Sequence, residues 1–370
     1  MVRRLLYLNG LAVLGVVLNH AIAWSYIALF WWAHRYRPVT SPNFDQMGSL
    51  AYYILRAIEQ AITFSIPAFL FVSGFFVAAA AGRTQATIRW SVVASRIQNF
   101  AIPYLLWSLL IFISDFIQSG QALPPLVYLR QLATGGAADP FYYVPLIVQL
   151  YLLAPLLTPL ARARPRALLL GSGLLQLVVM LLSYVDLLQL DLPALRPLLW
   201  LTTSWLFPGH LFWFVGGIVV GFHLAQVKAL AARLRWSLVV AVVVLFFVCV
   251  FEWETLLRLS GRPWIGPRET LLDCLFSLAV LLTFLAFDRA RLPAFERFSA
   301  LGPQSFGVYL VHSLVLEYTA RGIYHRAPAL LGLPFLFLPI LVTLGLGLPL
   351  LLMTAVRRSP ARPLYTYLFG

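Results

Sequence analysis

His20 is an ionisable side chain inside an apolar run that extends from Leu5 to Leu29. A polar or charged group in hydrocarbon costs a few kcal/mol or more, so it usually faces the interior of a helix bundle and has a function there. Neutral imidazole accepts a proton near neutral pH and therefore suits a general base. Other polar residues in apolar surroundings are Asn9, Arg56, Glu59, Asp115, His210, His312 and Glu317. Together these side chains indicate a reaction or transport site lined by helices.

Arg56 and Glu59 are spaced i, i+3, which places them on one face of a helix. Counting roughly 1.5 Å per residue along the first two apolar runs gives both residues a depth similar to that of His20. A histidine, a carboxylate and an arginine at one depth can form a general base, its orienting group and a charge partner. We therefore predict His20 and Glu59 as catalytic residues, and Arg56, His312 and Glu317 as substrate-binding residues. The alternative is a packing histidine beside an intrahelical ion pair.

Arg83, Arg89 and Arg96 lie between the second and third apolar runs. The planar guanidinium group binds phosphate oxygens well, so these arginines are suited to hold an anionic cofactor. The alternative is that they only set the orientation of the chain in a membrane. On these residues alone, that alternative is the better one.

The composition identifies the elements that must position these side chains. Hydrophobic residues make up 61% of the 370 residues, the mean hydropathy is +0.86, and 11% of residues are charged, whereas a soluble protein has about 25% charged residues. Apolar runs of about 20 residues are long enough to cross a membrane. We predict one all-α, polytopic integral membrane bundle that occupies residues 1–370. Its ten candidate spans are 5–29, 50–80, 98–118, 142–161, 167–185, 206–225, 236–255, 270–287, 301–320 and 334–356.

The basic residues are distributed unequally between the two sides of this bundle. When the spans alternate, 17 of the 27 Lys and Arg residues fall on the side of the N-terminus, nine fall on the other side, and Arg56 lies within a span. Because Lys and Arg are enriched in cytoplasmic loops, this predicts that both termini are cytoplasmic. The net charge of +14 is therefore a topology signal that requires no nucleic-acid partner.

Two segments and two cysteines give further expectations. The second run is overlong, so we expect a break at Pro67, and the loop 119–141 is long enough to contain a short interfacial helix. Cys249 and Cys274 both fall within spans, where we expect packing residues rather than a disulfide. Their spacing is not that of metal ligands, and we expect no bound metal.

Six segments resemble, in order, the motifs of the membrane-bound acyltransferase 3 family, and the resemblance covers nearly the whole chain. Each segment is short and hydrophobic, so the order and spacing carry the specificity. The segments are 8–20 (LNGLAVLGVVLNH), 66–75 (IPAFLFVSGF), 96–97 (RI) with 102–104 (IPY), 141–146 (FYYVPL), 212–217 (FWFVGG) and 301–312 (LGPQSFGVYLVH).

The resemblance implies an integral-membrane O-acyltransferase in a bacterial inner membrane. Such enzymes move acetyl or another short acyl group from cytoplasmic acyl-CoA, here expected to be acetyl-CoA, to a sugar of a surface or secreted glycan. His20 matches the essential histidine of the family, and Arg96 matches one arginine of its inner-loop pair. We therefore expect Arg96, assisted by Arg89, to bind the CoA phosphates. The chain differs from the family pattern at Asn9 and Asn99, where arginines are usual. Arg89 or Arg83 is placed to supply the anion-binding charge that these positions lack.

Two other classes of function remain open at this point. An exporter of a glycan or a lipid-linked sugar also needs polar groups at the middle of the membrane, although the inverted repeats common in transporters are not evident. A catalytically inactive relative that acts as an assembly partner is compatible with Asn9 and Asn99. The sequence leaves the acyl group, the acceptor and the oligomeric state open.

Overall fold

A computed structural model of the protein describes residues 1–82, 87–266 and 269–370. All regular structure in these ranges is helical, which confirms the all-α prediction. The α-helices are α1 (Val2–Tyr26), α2 (Leu50–Ile62), α3 (Ser65–Ala81), α4 (Trp90–Ser119), α5 (Pro125–Thr134), α6 (Tyr143–Ala163), α7 (Pro165–Leu187), α8 (Leu211–Arg233), α9 (Arg235–Ser260), α10 (Leu271–Ala286), α11 (Phe295–Leu301), α12 (Ser305–Arg326), α13 (Pro334–Arg358) and α14 (Tyr365–Phe369).

Each of the ten predicted apolar runs falls on helix in this structure. Among the described residues, eight helical segments are long and apolar enough to cross a membrane, since an apolar helix of about 20 residues spans the hydrocarbon core. The other two runs correspond to α10, which is apolar but has 16 residues, and to α12, which carries Glu317, Arg321 and Arg326. The integral membrane class is thus supported, and the count of ten spans stays a prediction.

Local sequence explains where several helices begin and end. The second run is interrupted at Thr63 and Phe64, and Pro67 is the third residue of α3. Proline is tolerated there because the first turn of a helix has no intrahelical acceptor for its N–H groups. The predicted helix within 119–141 is α5, which starts at Pro125 and ends at Thr134; the next residue, Gly135, is in the left-handed conformation with φ of 80°.

The chain forms two compact units. Unit 1 consists of residues 1–62, 102–122 and 296–370, and unit 2 consists of residues 63–101 and 123–295. Both units are therefore assembled from segments that are separated in the sequence.

In unit 1, α1 and α12 run in the same direction. A Cβ at Gly302, just before α12, would lie 2.1 Å from the carbonyl oxygen of Leu6 near the start of α1, and further along both helices His20 contacts His312. Because the two helices are parallel, an odd number of membrane crossings must separate them. The described residues between them form six long helical segments, so this parity favours a seventh crossing by α10.

Helix α13 returns antiparallel to α12 within unit 1. Gly307 faces Met353, and Gly345 faces Leu316 and Val17. The start of α1 and the end of α13 therefore lie at the same end of this unit. That arrangement agrees with termini on one side of the membrane, while the cytoplasmic assignment stays a prediction.

In unit 2, α3 and α8 are in backbone contact. A Cβ at Gly74 would lie 2.0 Å from the carbonyl oxygen of Phe214, and one at Gly217 would lie 1.9 Å from that of Phe71. Small residues at such crossings let membrane helices approach closely and pack by dispersion forces. Cys249 and Cys274 belong to the same unit and are free, buried thiols, as predicted.

Candidate active site

His20 lies on α1 next to a second histidine of unit 1. Its ring is partly buried, and the residues just before and after it on α1 include the buried Val17 and Ala21. The His20 and His312 ring centres are 5.2 Å apart, with the ring planes inclined by 48°. Since His20 forms no hydrogen bond among the described residues, both of its ring nitrogens are available for proton transfer.

His312 is completely buried on α12. Its Nδ1 lies 2.6 Å from the carbonyl oxygen of Tyr309. A carbonyl oxygen only accepts hydrogen bonds, so Nδ1 must be the protonated nitrogen and donate this bond. Nε2 has no hydrogen-bond partner in the described part of the chain, which leaves its lone pair as an unused acceptor in the interior.

Arg56 and Glu59 form an ion pair in the interior of unit 1. The Arg56 Nη1 donates to Glu59 Oε2 at 2.5 Å, and both residues are buried. The hydroxyl of Tyr26 donates to the same carboxylate oxygen at 3.4 Å. Tyr26 is six residues beyond His20 on α1, a distance of about 9 Å along the helix axis.

Glu59 therefore lies at the level of Tyr26 rather than of His20. The estimate of a shared depth assumed that α1 and α2 end at the same level, and helix ends in a bundle need not do so. The structure gives His20 the neighbour His312 instead. A role for Glu59 in orienting the base stays a prediction, without a direct contact to His20.

Glu317 belongs to a second polar group of unit 1. Its carboxylate accepts a hydrogen bond from Arg321 Nε at 2.9 Å, and both residues interact electrostatically with Asp115 on α4. One residue further along α12, the hydroxyls of Tyr318 and Ser114 are 2.6 Å apart. Glu317 is five residues, or about 7.5 Å along the axis, beyond His312. The structure places it in this separate cluster, outside the contact between the two histidines.

Arg96 lines a surface groove of unit 2 with a volume of about 470 Å³. The other lining residues are Ser91, Val92, Ser95 and Asn99. The hydroxyls and the amide come from positions spaced by four residues, so they form one stripe along the first turns of α4. Backbone N–H groups at the start of a helix favour anions, and the guanidinium group adds a positive charge. The groove thus has the chemistry of a phosphate site.

The other inner-loop arginines lie close to this groove in sequence. Arg89 is exposed directly before the first residue of α4, where it can add charge. Arg83 lies outside the described residues. The sequence analysis considered only the charged residues of this segment and therefore missed Ser91 and Ser95. Their i, i+4 spacing with Asn99 is nevertheless a recognisable signal in the sequence.

The sequence analysis also did not single out a group of hydroxyl side chains in unit 2. Ser73 on α3 is half-buried and lies close to the buried Tyr143 and Tyr151 on α6. Arg96 interacts electrostatically with the Tyr151 hydroxyl. Ser73 and Tyr143 fall within two of the motif segments quoted above, which were the only signal in the sequence.

His210 lies beside a partly buried carboxylate of unit 2. Its Nδ1 is 3.7 Å from Glu269 Oε2, and the thiol of Cys274 donates to the other carboxylate oxygen at 3.1 Å. Burial raises the pKa of Glu269 to about 7, because a low dielectric disfavours the charged form. Among the described residues, no group of three or more His, Cys, Asp or Glu side chains is arranged to hold a metal ion.

A comparison with protein families confirms the resemblance seen in the motifs. The model of the acyltransferase 3 family, described as an acyltransferase domain, matches residues 4–354. No curated protein and no solved structure matches the chain at a significant level. The matched range covers most of both units and includes His20, Arg96 and His312.

Proposed function

The chain belongs to the acyltransferase 3 family and is an integral membrane acyltransferase; on this premise we propose its reaction. It transfers acetyl or another short acyl group from acyl-CoA to a hydroxyl group of a glycan, and it works in a bacterial inner membrane. Family membership favours acyl transfer over the export of a glycan. The observation that carries the proposal is His20, a partly exposed imidazole inside a membrane helix with no hydrogen bond to the described residues.

His20 acts as the general base in this proposal. A sugar hydroxyl is a poor nucleophile until its proton is removed, so a ring nitrogen of His20 takes the proton as the hydroxyl oxygen attacks the acyl carbonyl carbon. The bond from that carbon to the thioester sulfur breaks. The thiolate of CoA leaves and receives the proton from the His20 imidazolium, which restores the neutral base. Every proton and electron pair is then accounted for, and no metal is required.

The groove at the start of α4 binds the donor in this proposal. Arg96 provides a guanidinium for a phosphate of acyl-CoA, and the Ser91 and Ser95 hydroxyls and the Asn99 amide provide neutral donors. Arg89 adds a second positive charge at the helix start. Asn99 stands where the family usually has arginine, so we expect this site to bind acyl-CoA with one strong charge contact rather than two.

The test is acyl transfer by the purified protein in lipid nanodiscs. Release of free CoA and transfer of labelled acetyl to a glycan acceptor are measured for the wild type, for His20→Gln and for His325→Gln. Glutamine keeps hydrogen-bonding groups but cannot take a proton at neutral pH. Loss of a general base lowers the rate by roughly 10²–10⁴-fold, so His20→Gln should lose at least 10²-fold. His325, which is exposed at the end of α12, is the matched control.

Three results would contradict the proposal. A wild-type protein that binds acyl-CoA but never transfers the acyl group would be a catalytically inactive relative. Near wild-type transfer by His20→Gln would assign the base to another residue. An equal loss in His325→Gln would show that the assay reports general damage from the substitution.

A further inference from the structure

The contact between His20 and His312 joins a partly exposed side chain to a fully buried one. His20 has surface that a substrate can reach, whereas His312 has none. We therefore expect His312 to affect the reaction through its neighbour His20. This separates the two histidines by role although they are of the same residue type.

The protonation of His312 is fixed by its own helix. Because Nδ1 donates to the carbonyl oxygen of Tyr309 at 2.6 Å, the neutral ring has its lone pair on Nε2. A buried acceptor without a hydrogen bond destabilises the folded protein, because it has lost its bond to water and gained none in return. Nε2 of His312 is such an atom, so a donor that reached it would be stabilised there.

The ring of His20 lies at the right distance to supply that donor. A ring nitrogen lies about 1.1 Å from the ring centre, and a hydrogen bond between two nitrogens is about 3 Å long, so two bonded imidazoles have centres about 5.2 Å apart. The observed separation is 5.2 Å. The rings are inclined by 48°, so the bond requires the His20 ring to turn until one N–H points at Nε2 of His312.

We propose that His312 is a positioning residue, whose Nε2 accepts an N–H hydrogen bond from His20 during the reaction. This inference rests on the proposed role of His20 as the base. With one ring nitrogen of His20 held as a donor, the other is the acceptor that faces the substrate hydroxyl. When His20 takes the proton, the imidazolium charge is stabilised by the His312 lone pair and, through Nδ1, by the Tyr309 carbonyl. A carboxylate performs the corresponding task in serine hydrolase triads.

Two substitutions of His312 separate this role from packing. Asparagine has an amide nitrogen where Nδ1 was and can keep the bond to Tyr309, but it has no atom at the position of Nε2. Glutamine extends one carbon further and can place its amide oxygen at the position of Nε2, where it accepts from His20. We expect kcat to fall about tenfold or more in His312→Asn, the factor that corresponds to one lost hydrogen bond, and to recover by at least threefold in His312→Gln, with KM unchanged in both.

Each alternative role predicts a different order of activities. Equal losses of kcat in the two variants, or a near wild-type kcat in His312→Asn, would overturn the positioning role. Melting temperatures of both variants are measured in parallel, and a result counts only for variants that fold. His312→Ala with added imidazole provides a second measurement: a recovery of kcat supports the acceptor role, and no recovery contradicts it.

The double variant His20→Gln with His312→Asn distinguishes failure of this inference from failure of the proposed function. If His312 acts only through His20, adding His312→Asn to His20→Gln should cost no further activity. If the losses of activity in the two single variants add fully in the double variant, His20 remains the base but His312 does not act through it. An active His20→Gln combined with an inactive His312→Gln would instead make His312 the base, which overturns both proposals.

Discussion

Loss of one partner of the Arg56–Glu59 ion pair should strongly destabilise unit 1. Both residues are buried, with 4% and 7% of their surface exposed, and the charged atoms are 2.5 Å apart. Glu59→Gln removes the negative charge and leaves a guanidinium in the interior. Removing one member of a buried pair costs about 3–5 kcal/mol, because the remaining charge is uncompensated.

The double variant Arg56→Met with Glu59→Leu provides the decisive comparison. Replacing a whole buried pair by apolar residues of similar volume is often neutral or stabilising, so the double variant should melt at a higher temperature than Glu59→Gln. Tyr26→Phe keeps both charges of the pair and removes only the hydroxyl that interacts with them, so it should cost less than the loss of one charge and serves as the control. Thermal unfolding in detergent measures all three variants.

Activity of the same variants tests whether the ion pair has a role beyond stability. If the pair is only structural, the double variant keeps its acyl transfer rate once it is folded. If Glu59 tunes His20 or Arg56 binds the substrate, the double variant is stable but slow. A Glu59→Gln protein that melts at the wild-type temperature, or a double variant less stable than Glu59→Gln, would refute the reasoning about the buried pair.

Three further predictions concern unit 2. Gly217→Ala should lower the melting temperature clearly, because its Cβ would lie 1.9 Å from a backbone carbonyl oxygen of α3. Gly216→Ala should leave the melting temperature unchanged, because its Cβ would have no atom within 4 Å. Equal melting temperatures of the two variants would contradict the close contact between α3 and α8. Arg96→Ala should weaken acyl-CoA binding in a titration by about tenfold or more, as expected for a lost charged hydrogen bond. Substitution of the exposed Arg166 by Ala should leave the affinity unchanged. A wild-type affinity in Arg96→Ala would show that this arginine does not bind the donor and only helps to set the membrane topology. Glu269 has a pKa of about 7 in the folded protein, raised from 4.5, so the folded protein binds this proton more tightly than the unfolded chain and loses up to about 3 kcal/mol of stability as the pH rises from below 4.5 through 7. Glu269→Gln should therefore raise the melting temperature at pH 8 and not at pH 4. A difference in melting temperature that does not depend on pH would refute the effect of burial on this carboxyl group.

The helical fold could be predicted almost entirely from the sequence. Apolar runs of membrane length leave few alternatives, because the backbone must satisfy its hydrogen bonds internally in hydrocarbon. The break before Pro67 and the helix starting at Pro125 also follow from local rules for proline. These features depend on residues within a few positions of one another.

The arrangement of the site was harder to predict, because it depends on which helices pack together and at what level. His20 and His312 are on helices far apart in the sequence, and no local pattern pairs them. The depth estimate that brought Glu59 close to His20 failed to foresee the contact with Tyr26, because it contains no information on helix ends. Arg96 was found through its charge and motif, whereas Ser91 and Ser95 were overlooked because they are uncharged, although their i, i+4 spacing with Asn99 is visible in the sequence.

The discontinuity of unit 1 has a consequence for the order in which the protein is made. Its first segment ends at residue 62, and its last segment begins at residue 296, so α1 enters the membrane long before the ribosome has produced α12. His20 is therefore present in a partly assembled protein before His312 and Tyr309 have been synthesised. At that stage the long segment 123–295 of unit 2 is already complete. Since large chains fold progressively during synthesis, His20 gains its neighbour only in one of the last steps. A chain that stops before residue 296 therefore contains His20 without the last segment of unit 1 that surrounds it in the complete protein.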